Sequence, residues 1–129
     1  MNILDENILE GQRQLLLNWH VPFHQIGYEV GRKGMTDEEI IPFLLKLRQT
    51  TFFTVDHHFY RQDLCHARYG LVYLDVEQEE AAIFVRRALG HRLFDTHAKR
   101  MGAVIRVSHV GLAVWRLHAK REALFSWSA

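Results

Sequence analysis

Short apolar runs alternate along the chain with segments in which apolar residues recur at helical spacing. Runs rich in apolar, β-branched and aromatic side chains are typical of buried strands, and the 3.6-residue pattern indicates helices packed on them. The predicted strands are residues 2–4, 23–26, 50–55 and 69–76. The predicted helices are residues 9–18, 36–47, 57–66, 77–89 and 91–101.

The C-terminal part has a different pattern. Residues 104–107 and 112–117 read as two strands around His109-Val110-Gly111, which predicts a β-hairpin, and residues 124–127 suggest a last strand. Alternating strands and helices predict a mainly parallel sheet with helices on both faces. We therefore expect an α/β fold, a three-layer α/β/α sandwich with a C-terminal β-hairpin, as a single domain over residues 1–129.

Acidic residues stand at the ends of several predicted elements. Asp5 and Glu6 follow the first strand, residues 37–39 open the second helix, and Asp56 follows the central strand. The carboxyl ends of parallel strands meet at one edge of a sheet, where ligands collect. Carboxylates clustered there repel one another unless a cation neutralises them, and hard oxygen ligands suit Mg²⁺ or Mn²⁺. The sequence therefore predicts a metal site at this edge.

Each of these acidic groups also has a purely structural interpretation. Asp5 and Asp56 are good helix N-cap residues, and residues 37–39 would be stabilised by the dipole of the helix that they open. Thr36 and Glu39 have the spacing of a capping box. The metal interpretation depends on all these groups pointing at one edge of the sheet.

Three short motifs follow one another along most of the chain. They are Asp5-Glu6-Asn7, Thr36-Asp37-Glu38-Glu39-Ile40 and Thr54-Val55-Asp56-His57-His58-Phe59. In order and spacing they resemble the PIN-like domain family, above all its compact, stand-alone and often toxin-associated branch. That branch opens with Asp-Glu-Asn, continues with Ser/Thr-Asp-x-Glu-Ile and then carries Thr-x-Asp-x-Asp-Phe. The closing hairpin also fits the family.

The resemblance implies a metal-dependent endoribonuclease that hydrolyses RNA phosphodiester bonds, the toxin of a toxin–antitoxin pair restrained by an antitoxin protein. It implies Asp5, Asp37 and Asp56 as the catalytic carboxylates that hold Mg²⁺ or Mn²⁺. Further candidate metal ligands are Glu6, Glu38, Glu39 and His58. His58 is a departure, because the family has a second Asp there. The alternative is therefore a catalytically inactive PIN-like module that binds protein or RNA.

Basic residues add a weaker indication of a nucleic-acid substrate. The chain has 16 basic and 15 acidic residues, so RNA binding would depend on local patches. Arg32 and Lys33 lie in the glycine loop before the acidic helix and are candidates for holding a substrate phosphate. A solvated loop is the alternative for this pair. Arg86 and Arg87 could track RNA, or form an ordinary charged helix face.

Cysteine and hydropathy patterns bear on the compartment. Cys65 is the single cysteine, which excludes a disulfide framework and favours a reducing, cytoplasmic location. No run of about 18 apolar residues occurs, so no membrane span is expected. The hairpin or an edge strand offers a homodimer surface. A zinc pair at His57 and His58 is disfavoured, because adjacent side chains are expected to point in different directions.

A receiver-like signalling domain is a further alternative, since it also has alternating elements and carboxylates at strand ends. Asp56 would be its phosphoacceptor by position. The candidate last strand contains Arg106 and no suitable lysine, so this interpretation ranks below the others.

Overall fold

The computed structural model describes residues 1–128. The strands are β1 (Asn2–Leu4), β2 (His24–Gln25), β3 (Thr50–Thr54), β4 (Tyr69–Leu74), β5 (Ala103–Ser108), β6 (Gly111–Arg116) and β7 (Ala123–Phe125). The α-helices are α1 (Glu10–Asn18), α2 (Asp37–Leu45), α3 (Ala81–Gly90) and α4 (His97–Arg100). Three short 3₁₀ turns cover His57–Phe59, Gln62–Leu64 and Gln78–Glu80.

All seven strands form one sheet in the order β2-β1-β3-β4-β5-β6-β7. The first five in this order are parallel, and β5, β6 and β7 pair antiparallel. The predicted α/β fold with a mainly parallel sheet and a C-terminal hairpin is thereby confirmed. The chain leaves β1 towards one edge of the sheet and returns to β3 on its other side. This reversal opens a crevice at the carboxyl ends of β1 and β3, the usual ligand site in such sheets.

Successive residues of each central strand are buried on opposite faces of the sheet. Leu4 and Phe53 pack in a cluster with residues of α1 and α3, whereas Ile3 and Phe52 pack in a second cluster with residues of α2. Both faces are covered, which explains why these strands read as continuous apolar runs instead of alternating ones. The two clusters hold β1 and β3 side by side, with Leu4 paired to Phe53.

Helix α2 begins where the sequence predicts. Thr36 is its N-cap, and Glu39 completes the capping box, with its Oε1 accepting a hydrogen bond of 3.1 Å from the Thr36 backbone N–H. Pro42 lies inside the helix and lacks an N–H, so the Glu38 carbonyl has no partner within the helix. The helix therefore starts at a strongly specified position and presents its first carboxylates at the edge of the sheet.

Two predicted helices are wrong in extent. Residues 57–66 contain only two 3₁₀ turns, and Asp56 caps the first of them by accepting from the His58 N–H. Residues 91–96 are not helical, and only His97–Arg100 forms a short helix. There the buried Arg100 donates to the Phe94 carbonyl, and Thr96 caps α4. In both segments, side chains that bond to nearby backbone groups replace part of the predicted helix.

Helix α3 starts and ends differently from the prediction. The first residues of the predicted segment form the 3₁₀ turn Gln78–Glu80. The helix ends at Gly90, one residue beyond the predicted end, with His91 as C-cap. Among residues 1–128, no helix has both the length and the apolar character needed to cross a membrane.

Candidate functional site

Asp5 lies directly after β1 and is only 6% exposed. Its Oδ2 accepts a hydrogen bond of 2.7 Å from the Thr54 hydroxyl, and the nearby backbone N–H groups of Glu6 and Asn7 favour its charged form. Burial nevertheless raises the pKa of Asp5 above its ordinary value, because desolvation outweighs these donors. The N-cap of α1 is Leu9, so Asp5 does not cap that helix. The structural alternative for Asp5 is therefore wrong.

Asp56 follows β3 at the same edge of the sheet. Its backbone N–H donates to the Thr54 hydroxyl at 3.0 Å, which connects it to the group that also holds Asp5. Its Oδ1 accepts from the His58 backbone N–H at 2.9 Å, so Asp56 is an N-cap as the structural alternative predicts. The same oxygen lies 2.9 Å from Nδ1 of the His58 ring. Asp56 thus combines a capping role with a place in the acidic group.

Asp37 is the first residue of α2. Partial burial raises its pKa, and the negative charges of Asp56 and Glu38 raise it further, while His58 lowers it. Asp56 also contributes to the raised pKa of Asp5. Carboxylates influence one another in this way only when they lie close together. Asp56 therefore lies near both Asp5 and Asp37 at one edge of the sheet. Among the described residues, however, these three carboxylates do not gather within 4.8 Å of one another, whereas Asp56 does so with His57 and His58.

A cavity of about 410 Å³ opens beside Asp37. It has an apolar side, an acidic side and one arginine. Its lining consists of Asp37, Glu38, Ile41, His58, Phe59, Arg61 and Leu64. The guanidinium of Arg61 pairs with Asp63 on the surface, at 2.5 Å between Nη2 and Oδ2. The cavity thus places mixed polar and apolar surface next to the carboxylates.

Two of the remaining candidate ligands have structural partners. Oε1 of Glu6 accepts the Gly34 backbone N–H at 2.9 Å and so braces the glycine loop. Glu39 closes the capping box and forms an ion pair with Arg32. These contacts direct both carboxylates away from Asp5 and Asp56 towards the loop that precedes α2.

The predicted phosphate-binding pair lies in this same loop. Arg32 is engaged by Glu39, and the ammonium group of Lys33 lies 6.0 Å from the centre of the Tyr28 ring. Asp75, at the end of β4, also has partners: Arg106 at 3.3 Å and the Tyr73 hydroxyl at 3.3 Å. Arg32 and Asp75 are therefore paired locally. At the edge of the sheet, the charge of Asp56 raises the pKa of Asp5 and of Asp37, and the charge of Glu38 also raises that of Asp37.

Three residues at the site were not predicted from the sequence to belong to it. Thr54 bridges Asp5 and Asp56, and its place in the Thr-x-Asp motif was the available signal. Arg61 and His57 were not assigned to the site either. The ligand atoms of Asp56, His57 and His58 all lie within 4.8 Å of one another. The expectation that the adjacent imidazoles point apart is wrong.

Comparison of the chain with protein-family models, with curated proteins and with solved structures finds no match. Function therefore has to be inferred from the geometry and chemistry of the site.

Proposed function

We propose that this chain is a metal-dependent endoribonuclease with a PIN-like, three-layer α/β/α architecture. The observation that carries the proposal is the position of Asp56, which raises the pKa of both Asp5 and Asp37 at the carboxyl edge of the parallel sheet. Such an edge, at the reversal between β1 and β3, is where sheets of this kind bind ligands.

The side chains present fit a divalent cation. Asp5 is nearly buried and held by the Thr54 hydroxyl, and the charge of Asp56 disfavours ionisation of both Asp5 and Asp37. Of the described groups that shift the pKa of Asp37, only His58 favours the charged form. A cation would remove this cost, and a set of carboxylate oxygens suits Mg²⁺ or Mn²⁺. Asp5, Asp37 and Asp56 would hold it, with Glu38 and His58 alongside.

A divalent ion bound there would lower the pKa of a water molecule and stabilise negative charge on a phosphodiester. The chain's own residues provide the rest. The Thr54 hydroxyl fixes the orientation of the Asp5 carboxylate at this edge of the sheet. Asp56 holds the His58 ring at the cavity wall by its contact with Nδ1.

The cavity suits a nucleotide unit. Ile41, Phe59 and Leu64 give it an apolar side for a base, and Arg61 can exchange its exposed partner Asp63 for a phosphate. Exposed ion pairs of this kind contribute little free energy, so the exchange costs little. RNA is therefore the substrate that we propose. Arg32 and Lys33 remain predicted phosphate contacts. To bind a phosphate, Arg32 would first have to break its ion pair with Glu39.

The biological setting that we propose follows from the family resemblance alone: a cytoplasmic toxin held inactive by an antitoxin protein. Co-expression with the product of the neighbouring gene tests it, because an antitoxin would bind the chain and suppress its cleavage of RNA. A homodimer through an edge strand is a further prediction, and sedimentation of the purified protein measures it.

The direct test is cleavage of a structured RNA by the purified chain with Mn²⁺ or Mg²⁺. Asp5→Asn and Asp56→Asn should each lower the cleavage rate by about 100-fold, a typical cost of losing one charge-stabilising group in an active site. Asp95→Asn is the matched control, because Asp95 is a surface residue paired with Lys99. A wild-type chain that cuts no RNA, or Asp variants as active as the control, would contradict the proposal.

One observation favours a second candidate, a binding module without catalysis. The carboxylate of Asp56 contacts an imidazole at 2.9 Å, at the position where the resembling family has another acid. A module of this kind would show no saturable binding of Mn²⁺ in calorimetry. If His58→Asp introduces both Mn²⁺ binding and RNA cleavage that the wild type lacks, the binding module is the better interpretation.

We do not propose the receiver-like function. The strand order of the parallel strands is compatible with it. However, β5 (Ala103–Ser108) contains no lysine, and the connection after Asp56 has short 3₁₀ turns in place of a helix.

A further inference from the structure

Asp56, His57 and His58 are three consecutive residues whose ligand atoms come together. They begin and form the 3₁₀ turn His57–Phe59, and each offers one ligand atom within 4.8 Å of the other two. The two imidazole rings lie with their centres 4.2 Å apart and their planes inclined by 35°. The turn thus overcomes the divergence that adjacent side chains normally have, and it gathers two nitrogens and one carboxylate oxygen on one side.

The spacing of these atoms suits a shared metal ion. Oδ1 of Asp56 and Nδ1 of His58 are 2.9 Å apart. Two ligands bound to one ion at about 2.1 Å in the tetrahedral geometry that Zn²⁺ prefers lie about 3.4 Å apart. The observed separation is only roughly 0.5 Å shorter than this, so a small adjustment would let both atoms contact one ion. Little rearrangement of Asp56 or His58 is required.

His57 has the freedom to complete the set. Both imidazoles are exposed, with 68% of the His58 side chain accessible, so neither ring has to leave a packed core to turn towards an ion. The site also adjoins the cavity, because His58 lines it together with Asp37. An ion held by the turn would therefore lie near a second carboxylate, that of Asp37, and in contact with the space that a substrate would enter.

We propose that Asp56, His57 and His58 form a binding site for a borderline transition metal such as Zn²⁺ or Co²⁺, and that this site makes the chain prefer such an ion to Mg²⁺. Imidazole nitrogen suits Zn²⁺, Co²⁺ and Ni²⁺, whereas Mg²⁺ prefers oxygen ligands and keeps its water. The inference rests on the proposed nuclease function and deepens it by naming the class of metal at the same edge of the sheet.

The test compares Co²⁺ and Mg²⁺ binding to the metal-free full chain by calorimetry, with the visible absorption of Co²⁺ as a second measurement. Wild type should bind Co²⁺ at least about 10-fold more tightly than Mg²⁺, as its nitrogen ligands require. His57→Ala should lower the Co²⁺ affinity by about 10-fold, change the absorption bands and leave Mg²⁺ affinity unchanged. His58→Asp should raise the affinity for Mg²⁺ and narrow the difference between the two ions.

His24→Ala is the matched control, because His24 is an exposed imidazole outside the turn. His57→Gln, which keeps a polar side chain at this position, is used beside His57→Ala, and circular dichroism checks that both variants fold. If both His57 variants bind Co²⁺ with the affinity and absorption bands of His24→Ala, the inference is overturned. Wild-type affinities for Co²⁺ and Mg²⁺ that are equal would also overturn it.

Measuring RNA cleavage in parallel separates the two proposals. If the chain binds Co²⁺ through His57 but cuts no RNA, the metal-site proposal is supported and the nuclease proposal is contradicted. If the chain cuts RNA with Mg²⁺ and His57→Ala binds metal as wild type does, the nuclease proposal is supported and the metal-site proposal is contradicted.

Discussion

The hydroxyl of Thr54 donates a 2.7 Å hydrogen bond to Oδ2 of Asp5, although the two residues are 49 positions apart in the sequence. The same hydroxyl accepts the backbone N–H of Asp56 at 3.0 Å. One buried threonine therefore ties the end of β1 to the end of β3, which are neighbours in the sheet. The acidic residues of the site are positioned through this contact.

Thr54→Val should destabilise the protein by about 2 kcal/mol, the usual cost of removing a buried hydrogen bond to a charged acceptor. Val keeps the shape and strand preference of Thr but leaves Asp5 without this donor, so the pKa of Asp5 should rise further. Urea denaturation measures the stability, and NMR titration measures the pKa. Thr54→Ser is the control: it retains the hydroxyl, and the pKa of Asp5 should stay where it is.

Asp56→Asn should lower the pKa of both Asp5 and Asp37. The change removes the negative charge that raises both values, while the amide oxygen of Asn can still accept the His58 N–H. Carbon-13 NMR of the carboxyl groups measures the two pKa values separately. Asp75→Asn, a carboxylate paired with Arg106, should leave both unchanged. Unchanged values in Asp56→Asn would mean that the three carboxylates are not close together.

The raised pKa of Asp5 gives a definite pH dependence in the presence of a chelator. The folded chain binds this proton more tightly than the unfolded chain, whose Asp pKa is near 3.8. Stability is therefore lost as the pH rises from about 3.8 through the raised pKa of the folded protein. The unfolding free energy of wild type, compared with Asp5→Asn at each pH, should fall over this window.

Asp95 should contribute to the unfolding free energy with the opposite pH dependence in the same experiment. Its pKa is lowered by the hydrogen bond to Lys99, so wild type should gain slightly over Asp95→Asn as the pH rises through the lowered value. The effect should be small because the pair is exposed to solvent. If wild type gains stability over Asp5→Asn as the pH rises from about 3.8, burial does not raise the pKa of Asp5.

A bound divalent ion should offset the repulsion between the carboxylates of the site and so stabilise the folded state. At an ion concentration 100 times the dissociation constant, binding stabilises the folded state by about 2.7 kcal/mol. Mn²⁺ should therefore raise the unfolding midpoint of wild type and of Asp95→Asn, whereas Asp5→Asn and Asp56→Asn should show little increase. Thermal unfolding with and without Mn²⁺ measures this. Equal shifts in all four proteins would indicate binding elsewhere.

Gly70 tests how closely α4 packs against the sheet. A Cβ at this position would lie 2.5 Å from the backbone carbonyl oxygen of Arg100. Gly70→Ala should destabilise the protein by about 1–3 kcal/mol, because backbone has to move to make room. Gly11→Ala is the control: nothing lies within 4 Å of its Cβ position in α1, and alanine should stabilise that helix by about 1 kcal/mol. Denaturation curves compare the two.

The sequence by itself determined the elements whose signals are local. Short runs rich in apolar, β-branched and aromatic residues predicted β1, β3 and β4, because a strand buried on both faces does not alternate between apolar and exposed polar positions. The spacing of Thr36 and Glu39 predicted the start of α2, because a capping box involves only residues within one turn. Placing Asp5 and Asp56 at strand ends required only the parallel arrangement that alternating elements imply.

Tertiary structure decided what each carboxylate contacts. Glu6 bonds to Gly34 and Asp75 pairs with Arg106, partners 28 and 31 positions away, whereas Asp5 is buried against Thr54. The convergence of His57 and His58 depends on a 3₁₀ turn that formed where the apolar pattern indicated a helix. Periodicity and capping act over a few residues. Distant hydrogen bonds and ion pairs exist only once the sheet brings their partners together.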